Sequence, residues 1–213
     1  MKPYYCDNAV TLYHGDCLEV DEWRVADVLV TDPPYGLGER MAGGSPEWGK
    51  LWSADGSGRT SDPLTWDALA PQGIPEMVAL FSEAIVWGGN YFDLPPARGW
   101  LVWDKVVRNF SSGHCELAWT SLDQPVRAFN FANGQLATEG KRHPTQKPLP
   151  LMQWCVRMTA GRVVADPFAG SGSTLVAARN LGRKAIGVEL EERYCEIIAQ
   201  RLDQMCLDFG GAS

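Results

Sequence analysis

An α/β fold is what this 213-residue sequence predicts, and three stretches carry the expectation. Arg162–Ala165 is a short valine-rich run that passes through Asp166-Pro167 into the glycine tract Phe168-Ala169-Gly170-Ser171-Gly172, and a helical pattern opens at Ser173. Ala185–Val188 is a second apolar run, and it ends on Glu189. Val25–Thr31 holds a third, which leads straight into Asp32-Pro33-Pro34-Tyr35-Gly36. Buried strands that alternate with helical patterns and end on glycine or polar residues are the mark of βαβ units, whose ligands sit beyond the carboxyl ends of the strands.

Bulk composition agrees. Hydrophobic residues make up 45%, enough to bury both faces of a sheet in one compact domain spanning residues 1–213. No apolar run reaches membrane-spanning length, and Met1–Asp7 lacks a signal-peptide core, so the expected setting is cytoplasmic with no membrane partner. Six cysteines are scattered without a Cys-x-x-Cys pair, so reduced thiols are expected and no metal site is predicted. The net charge of −7 is unevenly spread: Ala97–Lys147 carries seven Lys/Arg against four Asp/Glu, leaving −10 for the remainder. That segment suits a polyanion-facing side, although charge alone fits a solvated face equally well.

In chain order, Ala9–Tyr13 reads as a strand closed by His14-Gly15-Asp16, and Cys17–Arg24 as a short helix. Residues 36–66 are rich in glycine, serine and charge, with Trp48, Trp52 and Trp66; a loop of this length is either functional and mobile or a surface insertion. Pro75–Ser82 reads as helix. Glu83–Trp87 and Trp100–Asp104 read as strands, Cys115–Thr120 follows a loop bearing Arg108, Asn109, Ser111 and Ser112, and Pro125–Phe131 reads as an edge or antiparallel strand. Asn90 and Glu116 fall where a pocket lining is expected. Past the polar turn His143-Pro144-Thr145-Gln146-Lys147-Pro148, Leu149–Ala160 is an amphipathic helix, and Glu191–Leu207 is the last one.

Strand, glycine turn, helix, strand and acid form half of a nucleoside-binding unit, the acid reaching a ribose about 20 residues past the turn. A phosphate-cradling loop needs a lysine before its Ser/Thr, and Gly172 stands there instead, before Ser173-Thr174. The ligand is then a nucleoside with little or no phosphate, or a dinucleotide. Asp32–Tyr35 is the more specific signal. Two consecutive prolines hold the backbone extended without donors, which fixes a carboxylate and an aromatic ring at a strand's carboxyl edge. A carboxylate and the Pro33 carbonyl can accept both N–H groups of an exocyclic base amine, freeing its lone pair, while Tyr35 offers a stacking face to an extruded base.

Asp32-Pro33-Pro34-Tyr35, His143–Pro148 and Asp166–Gly172, in that order, resemble the motifs of the DNA amino-methyltransferases of the beta group, in which the catalytic motif precedes the cofactor motif. The resemblance covers about Thr11–Leu202, and the flanking texture is similar to that of small phage and prophage members. It implies a Rossmann-like methyltransferase fold with a seven-stranded, mostly parallel sheet, helices on both faces, one antiparallel strand near an edge and a circularly permuted motif order. It implies S-adenosylmethionine as cofactor and DNA as substrate. Asp166, Pro167, Phe168, Ala169, Gly170, Ser171, Gly172 and Thr174 then wrap the cofactor, with Asp32 beside it. Glu189 holds its ribose, Asp16 its adenine, and His143, Thr145 and Lys147 lie toward its carboxylate end. Asp32, Pro33, Pro34 and Tyr35 form the catalytic pocket. An initial Asp resembles the N6-adenine subgroup more than the N4-cytosine enzymes.

Larger members have a sizeable target-recognition region, for which only about 121–142 is available here. The partners left open are a second copy of the chain and a companion restriction endonuclease. Rival readings are cytosine N4, RNA or protein glutamine as methyl acceptor, a nucleotide-dependent oxidoreductase and a non-catalytic DNA-binding module.

Overall fold

The computed structural model describes residues 1–37, 70–106, 108, 113–132 and 146–209. Two compact units emerge, one formed by residues 1–31 and 147–213, the other by residues 32–146. Most of the 36–66 loop, residues 133–142 of the 121–142 segment, His143 and Thr145 lie outside the described residues.

In the first unit, strands β1 (Tyr5–Cys6), β2 (Val10–His14), β3 (Val28–Thr31), β8 (Val163–Asp166) and β9 (Lys184–Glu189) are arranged β1-β2-β9-β8-β3. The intervening strands β4–β7 belong to the second unit. Only β1 is antiparallel to its neighbour; β2, β9, β8 and β3 all run parallel. Their registers pair His14 with Glu189 and Asp166 with Gly187, so the carboxyl ends of these strands align. Every residue of β3 is buried, as a strand covered on both faces requires.

Helix α2 (Leu149–Met158) packs on α3 (Ser173–Asn180), α3 packs on β8 and β9, and α4 (Glu192–Phe209) packs on β2 and β9. The α3–β9 contact is close because Gly187 has no side chain: a Cβ there would lie 2.7 Å from Leu175. Arg183 caps the end of α2, donating to the Val156 carbonyl at 2.7 Å and to the Thr159 carbonyl at 3.0 Å, which adds a donor to the carbonyls at the helix end. The expected helix Cys17–Arg24 is instead a turn and a 3₁₀ segment, Glu22–Val25. There the buried Trp23 donates to the Cys17 carbonyl at 3.0 Å, closing too tight a loop for an α-helical run.

The second unit holds helix α1 (Ile74–Ala79) and strands β4 (Glu83–Trp87), β5 (Trp100–Asp104), β6 (Cys115–Thr120) and β7 (Arg127–Asn130). Their order is β4-β6-β5-β7, with β6 antiparallel to both β4 and β5, and β7 parallel to β5. The edge position expected for β7 is found, and its partner is parallel. Tryptophans knit this unit through their indole N–H groups: Trp103 to the Phe131 carbonyl at 2.9 Å, Trp119 to that of Pro95 at 2.7 Å. The described residues thus contain nine strands where seven were expected. One of the additions is β1, two residues held by the Tyr5–Leu12 and Cys6–Thr11 pairing.

Candidate active site

At the carboxyl ends of the first unit's strands, the glycine tract departs from ordinary backbone geometry. Gly170 (φ 54°) and Gly172 (φ 78°) both occupy the left-handed region that side chains disfavour. A Cβ on Gly172 would also lie 2.9 Å from Ile198 of α4, whereas one on Gly170 would meet nothing within 4 Å. Gly172 is therefore fixed by both conformation and packing. Gly170 is fixed by conformation alone and leaves open space beside its backbone.

Glu189 ties this turn to the start of α4. One carboxylate oxygen accepts the Gly170 N–H at 2.7 Å, the other the Glu191 N–H at 2.8 Å. The side chain is buried, and that burial pushes its carboxyl up to about 7 against the lowering pull of the two backbone donors. A buried carboxylate at the end of a strand, already aligned by backbone amides, suits hydroxyl donors of a ribose. Asp16 is brought near it by the β2–β9 pairing: Gly15 N–H donates to the Glu189 carbonyl at 2.9 Å. Asp16 itself is exposed and accepts the Leu18 N–H at 2.8 Å, holding the turn after β2.

Asp166 is buried at the end of β8, and its Oδ1 accepts the Thr31 hydroxyl at 2.7 Å and the Phe168 N–H at 3.2 Å. Thr31 is a supporting residue that the sequence reading missed. Its one legible signal is a polar residue at the carboxyl end of a buried strand, directly before Asp32. Lys147 is also in this unit, buried, with its carbonyl accepting the Ser173 hydroxyl at 3.0 Å at the start of α3. Pro167, Ala169, Ser171 and Thr174 are buried around the turn, and Phe168 is half-buried. Arg201 of α4 donates to the Ser171 carbonyl, a further brace on the loop. The first unit thus brings Asp16, Lys147, Asp166–Gly172, Thr174 and Glu189 to one set of strand ends.

Asp32, Pro33, Pro34 and Tyr35 open the second unit. The Tyr35 hydroxyl donates to Asp32 Oδ1 at 2.7 Å, so the extended proline pair folds carboxylate and ring toward each other. The ring rests against Gly88 (φ 66°), where a Cβ would lie 2.1 Å from its Cε1. Tyr91, two residues beyond Gly89, stacks on Tyr35 with ring centroids 5.1 Å apart and planes inclined by 22°. The 3₁₀ turn Gly89–Tyr91 positions it, with Tyr91 N–H donating to the Gly88 carbonyl at 2.9 Å. Asn90 is exposed on that turn, and Glu116 forms an ion pair with Lys105 at 2.6 Å.

Much of the local basic excess is internally compensated. Arg98 pairs with Asp123 at 2.8 Å and Arg108 with Asp104 at 2.6 Å, an arrangement that pulls the Asp104 carboxyl down to about 2, chiefly through the Arg108 hydrogen bonds. Lys141 and Arg142 lie outside the described residues. Among the described residues, no helix is long and apolar enough to cross a membrane.

Comparison with known proteins bears on these two groups of residues together. A family model described as DNA methylase matches residues 102–200. The chain is 47% identical over 220 residues to "Putative methylase YubD" of Escherichia coli (strain K12), the match covering 88% of each. With the Type II methyltransferase M.ScaI of Streptomyces caespitosus it shares 27% identity over 259 residues, covering 95% of this chain and 84% of that protein. Among solved structures, the M1.HpyAVI–SAM complex matches with a TM-score of 0.54 at 22% identity, over 90% of this chain and 99% of that one. PvuII DNA methyltransferase (cytosine-N4-specific) matches with a TM-score of 0.55 at 19% identity, over 93% of this chain and 88% of that one. The chain belongs to the DNA methylase family, the amino-methyltransferases of N6-adenine or N4-cytosine type. Its motif order, Asp-Pro-Pro-Tyr before the glycine turn, is that of the beta group, and its fold is the Rossmann-like methyltransferase fold.

Proposed function

We propose that the protein transfers a methyl group from S-adenosylmethionine to the exocyclic N6 of adenine in DNA, after the base is extruded from the duplex. The observation that carries this reading is the Tyr35–Asp32 pairing at 2.7 Å, which presents an acceptor carboxylate and an aromatic face together on a rigid Pro-Pro backbone. An adenine amine is a weak nucleophile because its lone pair is delocalised into the ring. Asp32 and the Pro33 carbonyl accept its two N–H groups and favour a pyramidal nitrogen, and Tyr35 holds the base plane.

The cofactor fits the residues present. Gly170 leaves space beside its backbone, Glu189 offers a buried acceptor for the ribose hydroxyls, and Asp16 stands close by for an adenine amine. Asp166, Phe168 and Ser171 would frame the methionine half, and Lys147 would counter its carboxylate. When bound, S-adenosylmethionine supplies a methyl group on a sulfonium, whose departing thioether is neutral. An amine nitrogen held there would form its N–C bond as the S–C bond breaks, and Asp32 would take up the amine's surplus proton and release it to solvent. Positioning contributes much of the acceleration, and no covalent link between enzyme and base is required.

Asp rather than Ser at position 32 favours adenine over cytosine N4 as the acceptor. The test is incubation with methyl-tritiated S-adenosylmethionine and unmethylated DNA, followed by digestion to nucleosides. Label in N6-methyladenosine supports the reading, label in N4-methylcytidine moves it to the other base, and unlabelled DNA removes it. Sequencing the modified positions would name the recognition site and test whether residues 121–142 suffice for target choice. A sizing measurement and a search for a companion endonuclease address the partners.

A further inference from the structure

Asp32 and Tyr35 already have partners within the protein. The Tyr35 hydroxyl takes one acceptor direction of Asp32, at 2.7 Å. The Tyr35 ring is stacked by Tyr91, at 5.1 Å between centroids and 22° between planes. Both features an extruded base would use, the acceptor and the aromatic face, are thus engaged by tyrosines. Tyr91 is 49% exposed, so its removal opens no hole in the core. Its turn is anchored independently of its side chain, through Gly88 N–H to the Leu117 carbonyl at 2.8 Å and Tyr91 N–H to the Gly88 carbonyl at 2.9 Å.

We propose that Tyr91 is a placeholder for the target base: it occupies the stacking face of Tyr35 in the resting protein, and the extruded base enters by exchange with it. An offset aromatic stack leaves no room for a third ring between its members. A base that stacks on the face now covered must therefore displace Tyr91. The exchange serves the reaction in two ways. Before substrate arrives, Tyr91 adds a stacking contact to a Tyr35 ring already held on Gly88 and through its hydroxyl on Asp32. It also sets a threshold, because a base that stacks poorly fails to repay the lost tyrosine pair. Tyr91 is in this sense a positioning residue, acting through Tyr35.

This inference rests on the methyltransferase reading above, and its test separates the two. Wild type, Tyr91→Ala and Tyr91→Phe are compared for kcat/KM toward unmethylated plasmid DNA, with cofactor affinity measured in parallel by calorimetry. A placeholder predicts that Tyr91→Ala raises kcat/KM for DNA two- to tenfold through a lower KM, corresponding to the about 0.5–1.5 kcal/mol of an aromatic pair. Tyr91→Phe keeps the ring and stays at the wild-type value, and cofactor affinity is the same in all three. A merely structural role gives the opposite sign. A fall in kcat/KM for Tyr91→Ala restored by Tyr91→Phe would make Tyr91 a wall of the occupied pocket, and an unchanged kcat/KM would leave it no part in base entry; either overturns the proposal. If the wild-type protein methylates no DNA, the parent reading fails first and this one falls with it.

Discussion

Glu189 offers the sharpest energetic handle on the half of the site proposed to hold the cofactor. It is 8% exposed, and burial raises its carboxyl from the ordinary 4.5 to about 7. At about 1.4 kcal/mol per pH unit, that displacement makes the ionised form of the folded protein costly by about 3 kcal/mol. The folded state holds the proton more tightly than the unfolded chain, so stability is undiminished below about pH 4.5 and falls as pH rises through 4.5 to about 7. Glu189→Gln removes the titration. A glutamine oxygen can replace only one acceptor for the Gly170 and Glu191 amides, an offsetting loss of about 1 kcal/mol. Urea unfolding should then show the variant slightly less stable than wild type near pH 4.5 and about 2 kcal/mol more stable at pH 8. Cofactor binding runs the other way. On the proposed reading ribose hydroxyls donate to the ionised carboxylate, so wild-type affinity should strengthen as pH rises through 7, while the variant binds weakly at every pH. A constant stability gap between the two proteins across this range would refute the burial argument.

Two further substitutions test the supports of the site. Gly88→Ala forces a Cβ to within 2.1 Å of the Tyr35 ring on a backbone at φ 66°; it should cost about 1–2 kcal/mol by denaturant titration and lower methyl transfer far more than cofactor affinity. Thr31→Val is nearly isosteric and removes the 2.7 Å donor to the buried Asp166, so a loss of about 1–3 kcal/mol with weakened cofactor binding is expected, and an unchanged melting temperature would show the contact to be idle.

What the sequence disclosed depended on how local the signal was. Glu83–Trp87 and Trp100–Asp104 match their strands end to end, because each is a short apolar run bounded by breakers. The glycine turn and Glu189 were legible for the same reason, with strand, turn, helix and strand contiguous from 163 to 189. Strand β1 was not, since two residues show no periodicity and their pairing comes from Thr11 and Leu12. Thr31 and Asp166 stand 135 residues apart, and no local pattern announces a hydrogen bond at that separation. The stacking of Tyr91 on Tyr35 was not legible either, since it follows from the positive φ of Gly88 and the turn after it. The basic character of Ala97–Lys147 was legible as a count, but the count conceals that Arg98, Lys105 and Arg108 are paired with acids of the same segment.

The central claim is a division of labour, with the glycine turn and Glu189 holding the methyl donor and Asp32 activating the amine that receives it. Asp32→Ala examines it directly, with calorimetry of S-adenosylmethionine binding beside labelled-methyl transfer to DNA. The account predicts affinity within a few-fold of wild type and transfer reduced to background. Methyl transfer that survives the loss of this carboxylate would contradict it.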